Sequence, residues 1–199
     1  NQMTLAKGPG YPLFLAANFL TGRPITLPQT LFYIGACLFI SRTVFCLSGH
    51  ANFALAVFLV LEWQPFIMPV RIIRDDICAA QALFLIGCCT RSLLVEQSPR
   101  HRLVWALGGG MFTGWMWMTR EDGIWLLPGL MVMLCLCALR HSQIRHGVRY
   151  LGMPLLCFSM GALGTLGLVA SINLAVYGRF IVTDIKSAGF ESALNAMQY

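Results

Sequence analysis

The chain has 199 residues, of which 57% are hydrophobic and 11% are charged, and its mean hydropathy is +0.70. A soluble domain carries about a quarter charged residues, so the composition excludes an ordinary water-soluble core and predicts a polytopic membrane protein. The net charge of +6 is also found in nucleic-acid-binding proteins, but no soluble segment interleaves basic and aromatic residues. We therefore expect no nucleic-acid partner and assign the surplus charge to membrane topology.

The apolar segments predict an all-α fold, a transmembrane helix bundle of about six spans with one short interfacial helix. Residues 11–21 are too few to cross a bilayer, which takes about 20 residues, and they predict the interfacial helix. The predicted spans follow at residues 27–47, 53–68, 77–94, 103–118, 124–139 and 150–177. We expect residues 1–178 to form the transmembrane core and residues 179–199 to begin an extracytoplasmic segment. Because the chain begins with Asn1 and stops soon after an apolar span, we expect it to be a fragment of a longer protein.

Six spans place the polar loops alternately on two sides of the membrane. One side receives Lys7, the polar island Arg71–Asp76, the loop Arg120–Asp122 and the tail of the chain. Lysine and arginine are equally numerous on the two sides, but the other side carries one acid and the most basic short loop, Arg140–Arg149. We therefore expect that other side to face the cytoplasm.

Several residue types that can carry chemistry have simpler interpretations here. Glycines 108–110 and 114, and glycines 161, 164 and 167, are spaced for close helix packing and lack the features of a phosphate-binding loop. The cysteines stand in or beside apolar runs and are expected to pack as small apolar residues without disulfides. The four histidines lie in loops on one side and predict no metal site. Trp115, with three other tryptophans, is expected in an aromatic belt at the outer interface.

Acids and bases share the charged side of the predicted bundle. A lysine or arginine there can hold a lipid phosphate, and a carboxylate can take the proton of an acceptor hydroxyl. Both needs arise when a sugar moves from a lipid phosphate to an acceptor. A purely structural interpretation stays open: Asp75 and Asp76 begin a helix, where acids stabilise the dipole, and Arg71 stands four residues before Asp75, at pairing distance.

Three segments resemble, in order, motifs of the C-type membrane glycosyltransferases, the family of protein O-mannosyltransferases and lipid A aminoarabinose transferases. The segment 7–12, Lys-Gly-Pro-Gly-Tyr-Pro, resembles the Lys-Pro-Pro-Gly-Tyr-Pro element that closes the family's first outer loop. Residues 74–76, Arg-Asp-Asp, are followed by an apolar run to Arg91 and resemble the acidic start of a later helix. Residues 110–128 resemble the Gly-rich helix, the Thr-Arg-Pro-Glu-Gly turn and the Leu-Leu-Pro element, although Glu121 stands where the family has proline.

The resemblance implies an enzyme that uses a polyprenyl-phosphate-linked sugar and acts on a glycan, lipid or protein acceptor at the outer face of a bacterial inner membrane. It places the family's second acidic site at Asp75 or Asp76, and we take both as candidate catalytic residues. It implies that Lys7 and Arg120 contact the donor phosphate. We expect four more residues of the same side to bind substrate: Tyr11, Arg71, Arg74 and Asp122. The resemblance fixes no cofactor and leaves a divalent metal ion open. It also implies that the family's first span and leading catalytic aspartate precede Asn1, so that this fragment alone is inactive.

Two other classes of function remain open at this stage. A transporter or flippase is expected to place charges near the bilayer midplane on broken helices, whereas here the charges gather at one side. A scaffold subunit would leave those charges without a function.

Overall fold

A computed structural model describes residues 8–67, 74–95, 98–120, 126–140 and 144–182, and within these ranges the chain is all-helical, without a strand. A π-helical turn, Arg91–Val95, follows α4 directly. The α-helices are α1 (Gly10–Phe19), α2 (Thr26–Ser48), α3 (Ala51–Ile67), α4 (Arg74–Thr90), α5 (Pro99–Thr119), α6 (Leu127–Arg140) and α7 (Ile144–Tyr177). The short first helix predicted at residues 11–21 is confirmed as α1.

Local sequence explains where the helices begin and end. Gly49 follows α2 with φ of 72°, a left-handed conformation that favours glycine and turns the chain directly into α3. Pro99 is the first residue of α5, where its missing N–H costs no helical hydrogen bond. The turn at Gly49 joins α2 and α3 in a tight antiparallel hairpin, and Pro99 marks the start of α5.

Side-chain bonds fix the directions of α2, α3 and α4. Near the start of α2, Gln29 bonds to Asp76 near the start of α4, while Thr43 late in α2 accepts a bond from Arg91 just after α4. The two helices therefore run parallel. The hydroxyl of Tyr33 on α2 donates to the carbonyl of Leu61 near the end of α3, as expected of the antiparallel neighbour.

Helix α5 runs antiparallel to α4 and packs most extensively against α7. The last turn of α5 lies beside the start of α4, and Ser92 after α4 bonds to the carbonyl of Arg102 near the start of α5 at 3.0 Å. Four glycines let helices approach closely as predicted: Gly109, Gly110, Gly114 and Gly161. The same prediction is wrong for Gly164 and Gly167, where an added Cβ would meet nothing within 4 Å.

The most enclosed helix is α4, which packs against α2 and α5 and whose Ile77, Ala80 and Leu85 are buried. Beside it, aromatic rings link α2, α4 and α5. The ring of Phe84 lies 5.3 Å from Phe32 and 4.9 Å from Phe112 between centroids. This column of rings is the apolar support for the end of the bundle at which α2 and α4 begin.

Three helical segments are long and apolar enough to cross a membrane: Thr26–Ser48, Asp75–Val95 and Leu151–Tyr177. A shorter apolar helix covers Ala51–Trp63. Large apolar side chains are exposed on several helices, Leu163 and Val60 among them, as suits a surface in contact with lipid. The fold is thus consistent with a membrane protein, and the described residues support three of the six predicted spans without confirming the other three.

Candidate functional site

The starts of α2 and α4, the end of α5 and residues 8–11 meet at one end of the bundle, which we call the rim. The indole N–H of Trp115 on α5 donates to the carbonyl of Gly10 at 3.1 Å, across 105 positions of sequence. Trp115 is therefore bonded into the bundle, instead of standing only in the surface belt that its sequence position suggested.

Glycine is required where this turn meets α5. An added Cβ on Gly10 would lie 2.5 Å from Oγ1 of Thr119 and 2.7 Å from its backbone nitrogen, and one on Gly8 would collide with the carbonyl of Met118. The backbone of the turn therefore rests directly on the last turn of α5. This contact fixes the position of Tyr11, the next residue.

Arg120 and Asp75 form an ion pair across the rim. Nη1 of Arg120, just after α5, lies 2.8 Å from Oδ1 of Asp75, in the first turn of α4. The side chains are 36% and 50% exposed, respectively. An exposed pair of this kind contributes at most about 1 kcal/mol to stability, so the fold does not depend on it. The guanidinium remains accessible to an anion arriving from solvent.

Asp76 has a different environment from its neighbour. Its Oδ2 accepts a hydrogen bond of 2.7 Å from Nε2 of Gln29, and the side chain is half-buried. Burial and the negative charge of Asp76 raise the pKa of the Tyr11 phenol above its ordinary value. The phenol therefore remains a neutral hydrogen-bond donor at physiological pH, close to the Asp76 carboxylate.

A third acid, Glu62 on α3, lies further inside the bundle. Cys37 and Tyr33 of α2 lie beside it. Its Oε1 is buried and receives no hydrogen bond from the part of the chain that the structure describes. An ionisable group in this position is costly in a membrane protein and suggests a role in function.

Gln81 supports the rim from below. It is fully buried on α4, and its Nε2 donates to Oγ1 of Thr119 at 3.1 Å. Oγ1 of Thr119 in turn donates to the carbonyl of Trp115 at 3.0 Å. This chain of bonds ties α4 to the segment of α5 on which the Gly10 turn rests.

An open apolar groove of about 570 Å³ lies between the C-terminal half of α1 and the turn that leads into α2. Its walls include Leu15, Phe19 and Leu20, and Arg23 contributes a charge.

The structure brings together four of the eight predicted site residues: Tyr11, Asp75, Asp76 and Arg120. Lys7, Arg71 and Asp122 lie outside the described residues, and Arg74 is described only as the first residue of α4. Gln29 and Gln81, which belong to the rim and its support, and Glu62, further inside the bundle, were not predicted as site residues. Each is a polar residue within an apolar helix, and that isolation is the signal that could have identified it.

Metal-binding geometry is not found in the described part of the chain, where no group of three or more histidine, cysteine, aspartate or glutamate side chains could hold an ion. Among the described cysteines, Cys37, Cys88 and Cys89 are buried, as expected of small apolar packing residues, whereas Cys46 and Cys135 are exposed.

Comparison of the chain with protein-family models, with curated proteins and with solved structures found no match. The chemistry that the rim can perform therefore follows from the side-chain groups that the structure places there. They are an accessible guanidinium, a carboxylate held by a neutral amide and a neutral phenol, and they lie where apolar helices end.

Proposed function

We propose that this chain is the core of a membrane glycosyltransferase that moves a sugar from a polyprenyl-phosphate donor to a glycan, lipid or protein acceptor. One observation carries the proposal: the two neighbouring acids of the rim have different partners, Asp75 a cation and Asp76 a neutral amide. Adjacent carboxylates in unlike environments are typical of sites in which one group handles charge and the other handles a proton. The resemblance of residues 7–12, 74–76 and 110–128 to motifs of the C-type glycosyltransferases supports the same function.

In this proposal, Arg120 binds the donor phosphate through charge-assisted hydrogen bonds, for which the planar guanidinium is well suited. Asp75 orients Arg120, and the donor phosphate replaces part of the contact between Asp75 and Arg120 when the donor binds. Lys7, Arg71 and Arg74 are close in sequence to rim residues and would add positive charge. The apolar groove beside α1 offers a surface for the polyprenyl chain.

Asp76 acts as the general base. The acceptor oxygen attacks the anomeric carbon, the bond from that carbon to the phosphate oxygen breaks, and the hydroxyl proton passes to Asp76. The polyprenyl phosphate leaves with its charge balanced by Arg120, and a single displacement of this kind inverts the anomeric configuration. Tyr11, as a neutral donor, binds a sugar or acceptor oxygen. We place the rim on the extracytoplasmic side of a bacterial inner membrane, with residues 179–199 beginning an extracytoplasmic segment.

The test uses the full-length protein in liposomes, supplied with a panel of labelled polyprenyl-phosphate sugars. We expect Asp76→Asn to lower kcat by about 100-fold or more, as for loss of a general base, and Arg120→Ala to act mainly by raising KM for the donor. Arg42→Ala is the matched control for loss of an exposed arginine, because Arg42 is exposed on α2 toward the other end of the bundle. Its kinetics should match those of the wild type.

Absence of sugar transfer from every donor would overturn the proposal. The same liposomes also test the alternative, a transporter or flippase, which Glu62 favours because its Oε1 is buried within an apolar helix. If labelled lipid crosses the bilayer without transfer of its sugar, and Glu62→Gln abolishes that movement, the transporter replaces the enzyme.

A further inference from the structure

Gln29 makes the hydrogen bond that distinguishes Asp76 from Asp75. It belongs to the second turn of α2, only 3% of its surface is exposed, and its Nε2 lies 2.7 Å from Oδ2 of Asp76. An ionised carboxylate accepts hydrogen bonds and cannot donate them, so the amide must present its nitrogen to Asp76. The contact joins two parallel helices at the rim, and packing holds the amide in place.

The chemistry of this contact has two consequences for a base. A hydrogen bond donated to the charged form of a carboxyl group favours that form, which opposes the effect of burial on the same group. Because an amide carries no charge, it gives this stabilisation without forming an ion pair, and an ion pair would lower the basicity of the carboxylate further. Asp75, paired with Arg120, lacks that advantage.

We propose that Gln29 is a positioning residue for Asp76: it keeps the half-buried carboxylate ionised and fixes Oδ2, so that Oδ1 takes the proton of the acceptor. The identity of the acceptor in this inference rests on the proposed function. The effect of Gln29 on the ionisation and position of Asp76 does not. The amide would act through Asp76 and would not touch the reacting atoms.

The titratable groups around Asp76 come from each helix that meets it. Tyr11 on α1 and Tyr33 on α2 are electrostatically coupled to it, and Asp75 is its neighbour on α4. Arg120, after α5, is paired with Asp75. A change at Gln29 alters none of these charges, so its effect on the protonation of Asp76 can be measured separately.

The experiment measures the protonation of Asp76 without any donor. Dicyclohexylcarbodiimide reacts with the protonated carboxyl group, and mass-spectrometric fragmentation separates labelling of Asp76 from that of Asp75. The full-length wild type, Gln29→Leu and Gln29→Glu are labelled across a pH series in detergent. We expect the pH of half-maximal labelling to rise by about one to two units in Gln29→Leu, and further in Gln29→Glu, where two carboxylates would share a proton.

Gln81→Leu is the matched control, because it also replaces a buried glutamine but one whose amide bonds to Thr119. Its labelling midpoint should equal that of the wild type. Melting temperatures identify any variant that does not fold, and Gln29→Glu, which keeps a polar side chain of the same length, provides the measurement if Gln29→Leu fails. An unchanged midpoint in the folded Gln29 variants, or an equal rise in Gln81→Leu, would overturn the proposal.

Sugar transfer by the same proteins separates this inference from the proposed function. The acidic limb of the pH dependence of kcat should move upward in Gln29→Leu by the same amount as the labelling midpoint. If the wild type transfers sugar but the labelling midpoint is the same in the Gln29 variants, the proposed role of Gln29 is rejected and the proposed function is retained. If the midpoint shifts but none of the proteins transfers sugar, the proposed function is rejected and the effect of Gln29 on the protonation of Asp76 is retained.

Discussion

Replacing Gly10 with alanine should disturb the rim without altering any of its charged groups. The added Cβ would lie 2.5 Å from Oγ1 of Thr119, whereas ordinary contacts of a Cβ begin near 3.4 Å. The turn must therefore move away from α5 by close to 1 Å, and Tyr11 moves with it. A displacement of about 1 Å in a positioned group costs roughly 100-fold in rate, and overpacking costs about 1–3 kcal/mol of stability.

The assay compares kcat/KM and melting temperature for Gly10→Ala, Gly164→Ala and the wild type. Gly164 is the matched control, since its added Cβ meets nothing within 4 Å and alanine is the better helix former. We expect Gly10→Ala to lose about 100-fold in kcat/KM and to melt at a lower temperature. Gly164→Ala should keep wild-type kinetics and melt no lower than the wild type.

A second substitution tests the geometry of the clash itself. Thr119→Ala removes Oγ1, the nearest atom, but the backbone nitrogen of Thr119 still lies 2.7 Å from the added Cβ. The double variant should therefore recover only part of the loss. If Gly10→Ala has the kinetics and melting temperature of the wild type, the turn does not rest on α5 as described, and the argument for the position of Tyr11 fails.

Two further predictions concern helix packing and topology. Gly110→Ala places a Cβ 2.9 Å from the backbone nitrogen of Ala162, so α5 and α7 must separate and the melting temperature should fall, whereas Gly164→Ala on the outer face of α7 should not lower it. Cysteine introduced at Arg23 and the native Cys46, each tested without the other cysteines, should react with a membrane-impermeant maleimide from opposite sides of the membrane. Labelling of both from one side would contradict a membrane-spanning α2.

Part of the rim could be predicted from the sequence because the direction of each helix follows simply from the order of the spans along the chain. Alternating spans bring loops distant in sequence to one side, and that rule sufficed to group Tyr11, Asp75 and Arg120. Span identity was harder to predict: α5 has 21 residues but is not among the helices apolar enough to qualify as spans, because glycine, tryptophan and threonine lower its hydropathy along with the basic residues at its start. The grouping survives because it depends on where helices begin and end and not on how apolar each one is.

The partners within the rim could not be predicted, because they depend on helix rotation. An apolar helix with little amphipathic bias gives few clues to which face is inward, so nothing in the sequence of α2 pointed Gln29 toward α4 rather than toward lipid. A buried polar group is costly unless it is hydrogen-bonded, and this cost is the physical reason to expect such residues inside the bundle. It does not say which neighbour satisfies them.

Helix geometry also explains how two adjacent aspartates acquire different partners. Successive residues of an α-helix point about 100° apart, so side chains at positions 75 and 76 face different neighbours of α4. Asp75 faces α5 and meets Arg120, while Asp76 faces α2 and meets Gln29. Exchanging the two partners would require rotating α4, whose Ile77, Ala80 and Leu85 are buried against the surrounding helices. The packing of α4 therefore keeps Asp75 with the Arg120 guanidinium and Asp76 with the Gln29 amide, the difference on which the proposed roles of the two carboxylates depend.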